Sequence, residues 1–130
     1  MLGKKKKTEY SWSKNAEKLF RKHKLPAPYH NLFGYYLSIS WVTKRAYHGH
    51  YEFFLSAKES GTLDEIEKDL YSALPQHLLS NFNEALEKFN ALDDDCDDIY
   101  EAFDACDDYA FEHEEEIADI LKNYLELADL

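Results

Sequence analysis

The sequence predicts an all-α protein, a compact multi-helix domain of about five to seven helices. All four glycines and all three prolines lie before residue 76, and apolar residues beyond that point recur at intervals of three and four. Sheets need frequent turns, which glycine and proline favour, so the scarcity of these two residues predicts long helices. A chain of 130 residues with 45% hydrophobic residues is long enough for one domain with a real core.

The first half of the chain is less regular. Residues 1–27 are expected to be a basic, partly flexible N-terminal segment with a short helix from about Lys14 to Lys22, and residues 28–130 to be the helical domain. Leu25–Pro28 predicts an extended break, because proline restricts itself and the residue before it. From Tyr29 the apolar spacing predicts a central, mostly buried helix that continues to about Arg45, although the alternation at 37, 39 and 41 also suits a strand.

The middle of the chain contains a turn and two amphipathic helices. Residues 47–54 suit a loop or the start of a helix, and Ser60–Gly61 marks a turn. Thr62 and Glu65 have the spacing of a capping box, and Pro75 suits the first turn of the following helix. The two predicted apolar stripes are Leu63, Ile66, Leu70 and Leu74, and then Leu78, Leu79, Phe82, Leu86 and Phe89.

The C-terminal third contains neither glycine nor proline from residue 93 onward. Its apolar stripes predict either two helices or one bent helix, with a break near residues 111–114. The stripes are Ile99, Phe103, Cys106 and Ala110, followed by Ile117, Leu121, Tyr124 and Ala128.

The net charge of −11 is unevenly distributed. Residues 1–50 hold eleven Lys and Arg against two acids, whereas residues 51–130 hold four Lys against twenty-four acids. An acidic body repels nucleic acid and attracts basic protein surfaces. We therefore expect a basic protein surface as the partner, and neither nucleic acid nor a membrane.

Seven acids in the C-terminal third follow one another at helical spacing, and we call them the acidic ribbon. On a continuous helix their carboxylates would lie roughly 5–6 Å apart, opposite the apolar stripe. Such like-charge neighbours destabilise a helix, and ordinary solvated faces mix the two signs. The ribbon is therefore the predicted partner-binding surface, although solubility alone or pairing with the basic N-terminal segment would also account for it. Its members are Asp97, Glu101, Asp104, Asp108, Glu112, Glu115 and Asp119.

The run from Trp41 to Gly61 resembles the signature of a bacterial helical family, a domain of unknown function named for its DNA-mimic member. That signature is roughly Asn-Gly-Gly-His-x-Gln-Phe-Phe. Tyr47 and His48 stand where Asn and the first Gly are usual, and the resemblance covers about residues 30–125. The corresponding residues, expected to be structural, are Gly49, His50, Glu52, Phe53 and Phe54, of which Glu52 stands in place of Gln.

The resemblance implies an all-helical fold in a bacterial protein. It implies a DNA mimic that occupies the DNA-binding surface of a regulator, or an immunity protein that covers the active site of a toxin such as a nuclease. A homodimer is a further expectation, because Tyr and Phe are favoured both in cores and at dimer interfaces.

No motif in the sequence predicts catalysis, a cofactor or a metal. His113 lacks the second His that a zinc protease helix needs four residues on. Asp93 begins a calcium-like spacing, but Asp98 stands where a sharp turn demands Gly. The enzyme alternative, a hydrolase built on His50, would require several carboxylates to converge on that side chain in a pocket.

Two cysteines are too few for a disulfide framework, and a thiol-reducing compartment is the default expectation. Polar residues follow Lys4–Lys7 where a secretory signal would need an apolar core. Both observations favour a cytoplasmic location.

Overall fold

The computed structural model describes residues 12, 14–40, 49–92 and 99–128, and the predicted all-α class is confirmed. A helical stretch over residues 14–21 precedes seven further helices in the described part of the chain. We number these helices α1 (Tyr29–Ile39), α2 (Gly49–Ser60), α3 (Leu63–Ala73), α4 (Gln76–Asn90), α5 (Ile99–Ala102), α6 (Asp104–Glu112) and α7 (Glu114–Leu127).

Helix α1 is the central element, as its all-round apolar sequence predicts. It contacts α2, α3, α6 and α7. Its buried residues are Leu32, Phe33, Tyr35, Tyr36 and Ile39. The prediction that this helix continues to Arg45 is wrong at its C-terminal end, because Ser40 is extended. Ser40 is a weak helix former, which offsets the apolar spacing at that position. Residues 41–45 of the predicted helix lie outside the described residues.

Helix α2 ends in a turn that joins it directly to α3. Gly61 has a φ of +74°, its N–H bonds to the carbonyl of Lys58 at 3.2 Å, and the N–H of Thr62 bonds to the carbonyl of Ala57 at 2.9 Å. This is the Schellman arrangement, which satisfies the last carbonyls of a helix and favours glycine at the left-handed position.

The predicted capping box at the start of α3 does not form. Thr62 precedes the helix, but no side-chain hydrogen bond caps it, and its hydroxyl lies 2.9 Å from that of Ser60. The Schellman turn explains the difference. It holds Thr62 at a φ of −107° and a ψ of 4°, whereas a side-chain cap usually needs an extended residue.

Helices α3 and α4 bury the two predicted stripes. Ile66, Leu70 and Leu74 are buried from the first, and every member of the second is buried. Pro75 lies at the N-cap of α4, one residue before the first turn in which the sequence places it. Helix α4 packs against α2 and α6, and Phe82 meets the rings of Tyr35 and Phe54 at 5.5 and 5.4 Å between centroids.

The C-terminal third forms three helices separated by single non-helical residues, Phe103 and His113. The second of these breaks falls within the predicted range of 111–114. Helix α6 packs mainly against α4, whereas α7 packs mainly against α1. The acidic ribbon therefore lies on separate helices, not on one continuous helix.

The residues preceding α1 belong to the same core. Ala16 and Leu25 are 1% and 5% exposed, and the ring of Phe20 lies 5.4 Å from that of Phe33. None of the helices in the described ranges is both long enough and apolar enough to cross a bilayer.

Candidate functional site

The acidic ribbon lies on the outer side of α5, α6 and α7. Six of its seven members are exposed, and the seventh, Asp97, lies outside the described residues. None of the six forms an ion pair or a side-chain hydrogen bond with another described residue. No Lys or Arg occurs between residues 99 and 121. The described part of the chain therefore presents these carboxylates to solvent without bound cationic side chains.

Helix dipoles divide the five ribbon acids on α6 and α7 into two groups. Asp104 and Glu115 lie in the first turns of α6 and α7, where the positive end of the helix dipole stabilises a carboxylate. Asp108 and Asp119 lie beyond those turns, and Glu112 is the last residue of α6, at its negative end. These three acids gain nothing from the helix ends, and the position of Glu112 is unfavourable.

A buried polar network lies behind the ribbon and joins α1, α2 and α6. The Nδ1 atom of His50 lies 2.6 Å from Oδ1 of Asp107, and its Nε2 atom lies 2.7 Å from the hydroxyl of Tyr35. The backbone N–H of His50 donates to the same carboxylate oxygen at 2.8 Å. Tyr35 and His50 are fully buried, and Asp107 is 6% exposed.

The network defines where its protons lie. Asp107 accepts from Nδ1, so the imidazole proton is assigned to that atom and Nε2 accepts the hydroxyl hydrogen of Tyr35. Burial, with a smaller contribution from the Asp107 carboxylate, raises the pKa of Tyr35 far above its usual range. Tyr35 is therefore a neutral hydrogen-bond donor at neutral pH.

Asp107 was not among the predicted site residues, although the sequence carries a signal for it. It lies four residues after Phe103 and three before Ala110, both of which are buried, so it falls on the apolar stripe. An acid on a buried face must be hydrogen-bonded or paired. Asn81 is a second polar residue on a buried face, and its amide donates to the carbonyl of Cys106 at 2.9 Å.

Gly49 allows Asp107 to reach His50. Its φ is +65°, and a Cβ atom built on it would lie 2.5 Å from Oδ2 of Asp107. Both the backbone conformation and the space beside it therefore require glycine.

The rest of the signature segment is divided between core and groove. Phe54 is fully buried, and half-buried Phe53 packs edge-on against Tyr35. Half-buried Glu52 lines an open groove of about 460 Å³, together with Phe20, Ser38 and Ser56 among others. His50 is not part of that lining. The hydrolase alternative needs His50 to reach a substrate, and its full burial leaves it no such access.

The structure also brings together three residues that the sequence does not link. His77 in α4 lies beside Glu116 in α7 and His113 between α6 and α7. The sequence indicates only that His113 and Glu116, three residues apart, lie close together. It does not indicate the contact with His77, which lies 36 positions before His113. Burial raises the pKa of the Cys106 thiol, which favours the neutral form of this core cysteine.

The fold and these sites define the chain as an all-helical protein with a buried Tyr–His–Asp network behind an exposed acidic surface. Comparisons with models of protein families, with curated proteins and with solved structures find no match.

Replacing Gly49 with Ala tests the close approach of Asp107. Left-handed backbone costs a residue with a side chain about 1–2 kcal/mol, and displacing the carboxylate adds an unsatisfied buried group at about 1–3 kcal/mol. We expect Gly49→Ala to lower the free energy of unfolding by about 3 kcal/mol in urea denaturation. Gly61→Ala is the matched control, since Gly61 has a φ of +74° but open space around it. Equal losses in the two variants would contradict the proposed contact.

Replacing Tyr35 with Phe tests the raised pKa of its hydroxyl. The folded chain keeps the Tyr35 proton above pH ~10 while the unfolded chain loses it, so stability falls as pH rises through that range. Tyr35→Phe should reduce this slope by about 1.4 kcal/mol per pH unit. Denaturant unfolding of the parent and of Tyr35→Phe, measured between neutral pH and about pH 11, provides the comparison. If Tyr35→Phe keeps the parent's slope of unfolding free energy against pH, the Tyr35 hydroxyl of the parent ionises in the folded protein.

Proposed function

We propose that this protein is an acidic protein-binding module whose ribbon on α5–α7 occupies a basic surface of a partner protein. The observation that carries the proposal is the set of six exposed ribbon acids that pair with no described cation. In the leading form of the proposal the partner is a DNA-binding regulator and the protein is a bacterial, cytoplasmic DNA mimic.

The cost of the ribbon to the fold supports a binding role. Glu112 lies at the negative end of α6, and Asp104 and Asp108 precede it at four-residue intervals on the same helix. Like charges spaced three or four residues apart destabilise a helix by a few tenths of a kcal/mol per pair. A surface that serves solubility alone would mix the two signs and avoid this cost.

The arrangement of the charges supports a nucleic-acid-like surface. Asp104, Asp108 and Glu112 succeed one another at four-residue intervals on α6, so their Cβ atoms lie roughly 5–6 Å apart along one face. This row of like charges resembles a DNA strand in its order, at about one charge per 6 Å of helix axis against about 3.4 Å of axis per phosphate in one DNA strand. A basic groove that binds phosphates is therefore the kind of surface that the ribbon would complement.

The three acids without helix-dipole support provide the test. We expect a triple variant with amides at these positions to lose partner binding while its helicity and thermal stability stay the same or rise. Each exposed charge pair contributes up to about 1 kcal/mol, so affinity should fall about tenfold or more. The substitutions are Asp108→Asn, Glu112→Gln and Asp119→Asn. The partner is isolated on the immobilised protein from an extract of the native organism, and affinity is measured by calorimetry.

A matched control removes the same number of exposed acids at the α2–α3 corner. Its substitutions are Glu59→Gln, Asp64→Asn and Glu65→Gln. The control should bind as the parent does, and the parent's affinity should fall steeply between about 50 and 200 mM salt. Equal binding by both triple variants, or binding insensitive to salt, would contradict the proposal.

The same immobilised protein separates the two classes of partner. Elution of a captured DNA-binding protein by duplex DNA indicates DNA mimicry, because the two ligands then compete for one surface. The alternative is an immunity protein for a toxin. A captured protein that inhibits growth when produced alone, and that duplex DNA does not elute, indicates this class.

A further inference from the structure

The first residues of α4 and the α6–α7 junction meet in a cluster of three metal-ligating side chains. His77 is the second residue of α4, His113 separates α6 from α7, and Glu116 is the third residue of α7. One donor atom of each side chain lies within 4.8 Å of the others. We propose that these three residues form an open binding site for a divalent first-row transition-metal ion of the zinc class.

The distances in the cluster suit such an ion. The Nε2 atom of His77 lies 3.0 Å from Oε1 and 3.1 Å from Oε2 of Glu116. Ligand atoms bonded to zinc at about 2.0–2.1 Å in tetrahedral geometry lie roughly 3.4 Å from one another. The His77–Glu116 hydrogen bond is close to that spacing, and a bound ion would replace its proton. The third donor lies within 4.8 Å and would approach by rotation of partly exposed side chains.

The ring of His113 is oriented as metal-binding imidazoles commonly are. Its Nδ1–H donates to the carbonyl of Tyr109 at 2.8 Å, and its ring stacks on that of Tyr109 at 4.2 Å between centroids. The proton on Nδ1 leaves the Nε2 lone pair available for a metal. A backbone carbonyl that fixes the tautomer in this way is the usual outer partner of a metal-bound histidine.

The donor set selects the class of ion. Two imidazoles and one carboxylate favour zinc and its transition-metal neighbours, whereas magnesium and calcium prefer oxygen ligands alone. The side chains of His77 and Glu116 are 42% and 43% exposed, which leaves room for water as a further ligand. The neighbouring exposed acids Glu112 and Glu115 raise the local concentration of cations.

An ion bound here would connect α4 to the α6–α7 junction across 36 residues of chain. Metal that binds the folded chain and not the unfolded one stabilises the fold by mass action. The proposal does not rest on the acidic ribbon being a partner surface, so each can fail without the other.

Calorimetric titration of the chelator-treated full chain with zinc, in an excess of magnesium, tests the site. The magnesium occupies the exposed acids that bind divalent ions weakly. We expect one zinc ion per chain, a raised thermal unfolding temperature, and at least about tenfold weaker binding in His77→Ala and in Glu116→Gln. His77 carries the test because its side chain is 42% exposed and because it lies in α4, outside the chain segment that holds the other two ligands.

The control variant is His23→Asn, which removes an exposed imidazole from a turn outside the cluster. Asn tolerates the φ of +55° found there, so the fold should be unaffected. This variant should bind zinc as the parent does. Absence of stoichiometric binding in excess magnesium, or equal affinity in the parent and His77→Ala, would overturn the proposal.

Discussion

The hydrogen-bonded carboxylate of Asp107 is the constraint on which the arrangement of three helices depends. It holds the first turn of α2 through the backbone and ring of His50, and through that ring it reaches Tyr35 in α1. A buried acid is costly unless its oxygens accept hydrogen bonds, so the three elements are stable only when they meet in this register. Apolar contacts alone would allow several relative positions of α1, α2 and α6, whereas these hydrogen bonds form in one of them.

The same constraint sets the orientation of the acidic ribbon. Because Cys106, Asp107 and Ala110 face the core, the neighbouring positions 104, 108 and 112 face solvent. The packing of α6 against the core therefore determines which of its side chains face solvent. Repulsion between the ribbon acids destabilises α6, and the buried hydrogen bonds of Asp107 offset this loss.

Much of the fold could be predicted from the sequence, because it depends on local periodicity. The stripes of α3 and α4, the helix break at His113 and the outward direction of the ribbon all follow from spacing at three and four residues. The end of α1 at Ile39 and the uncapped start of α3 could not be predicted. At Ser40 a weak helix former ends a helix whose apolar spacing continues past it. At Thr62 the Schellman turn fixes the backbone that a side-chain cap would need extended.

The contacts of the site depend on residues far apart in the chain, which one sequence does not reveal. His50 meets a tyrosine 15 positions before it and an aspartate 57 positions after it. His77 meets Glu116 across 39 positions. Asp107 is the exception, since its place on an apolar stripe shows that it is buried, although not which group it contacts.

The close approach of Gly49 to Asp107 also constrains the order in which the sequence can change over time. A side chain at position 49 would occupy the space of the carboxylate, so it is better tolerated after Asp107 has been replaced by a smaller residue. That earlier change removes the acceptor of the imidazole and leaves His50 buried without it. Changes at one of these three positions therefore favour changes at the other two.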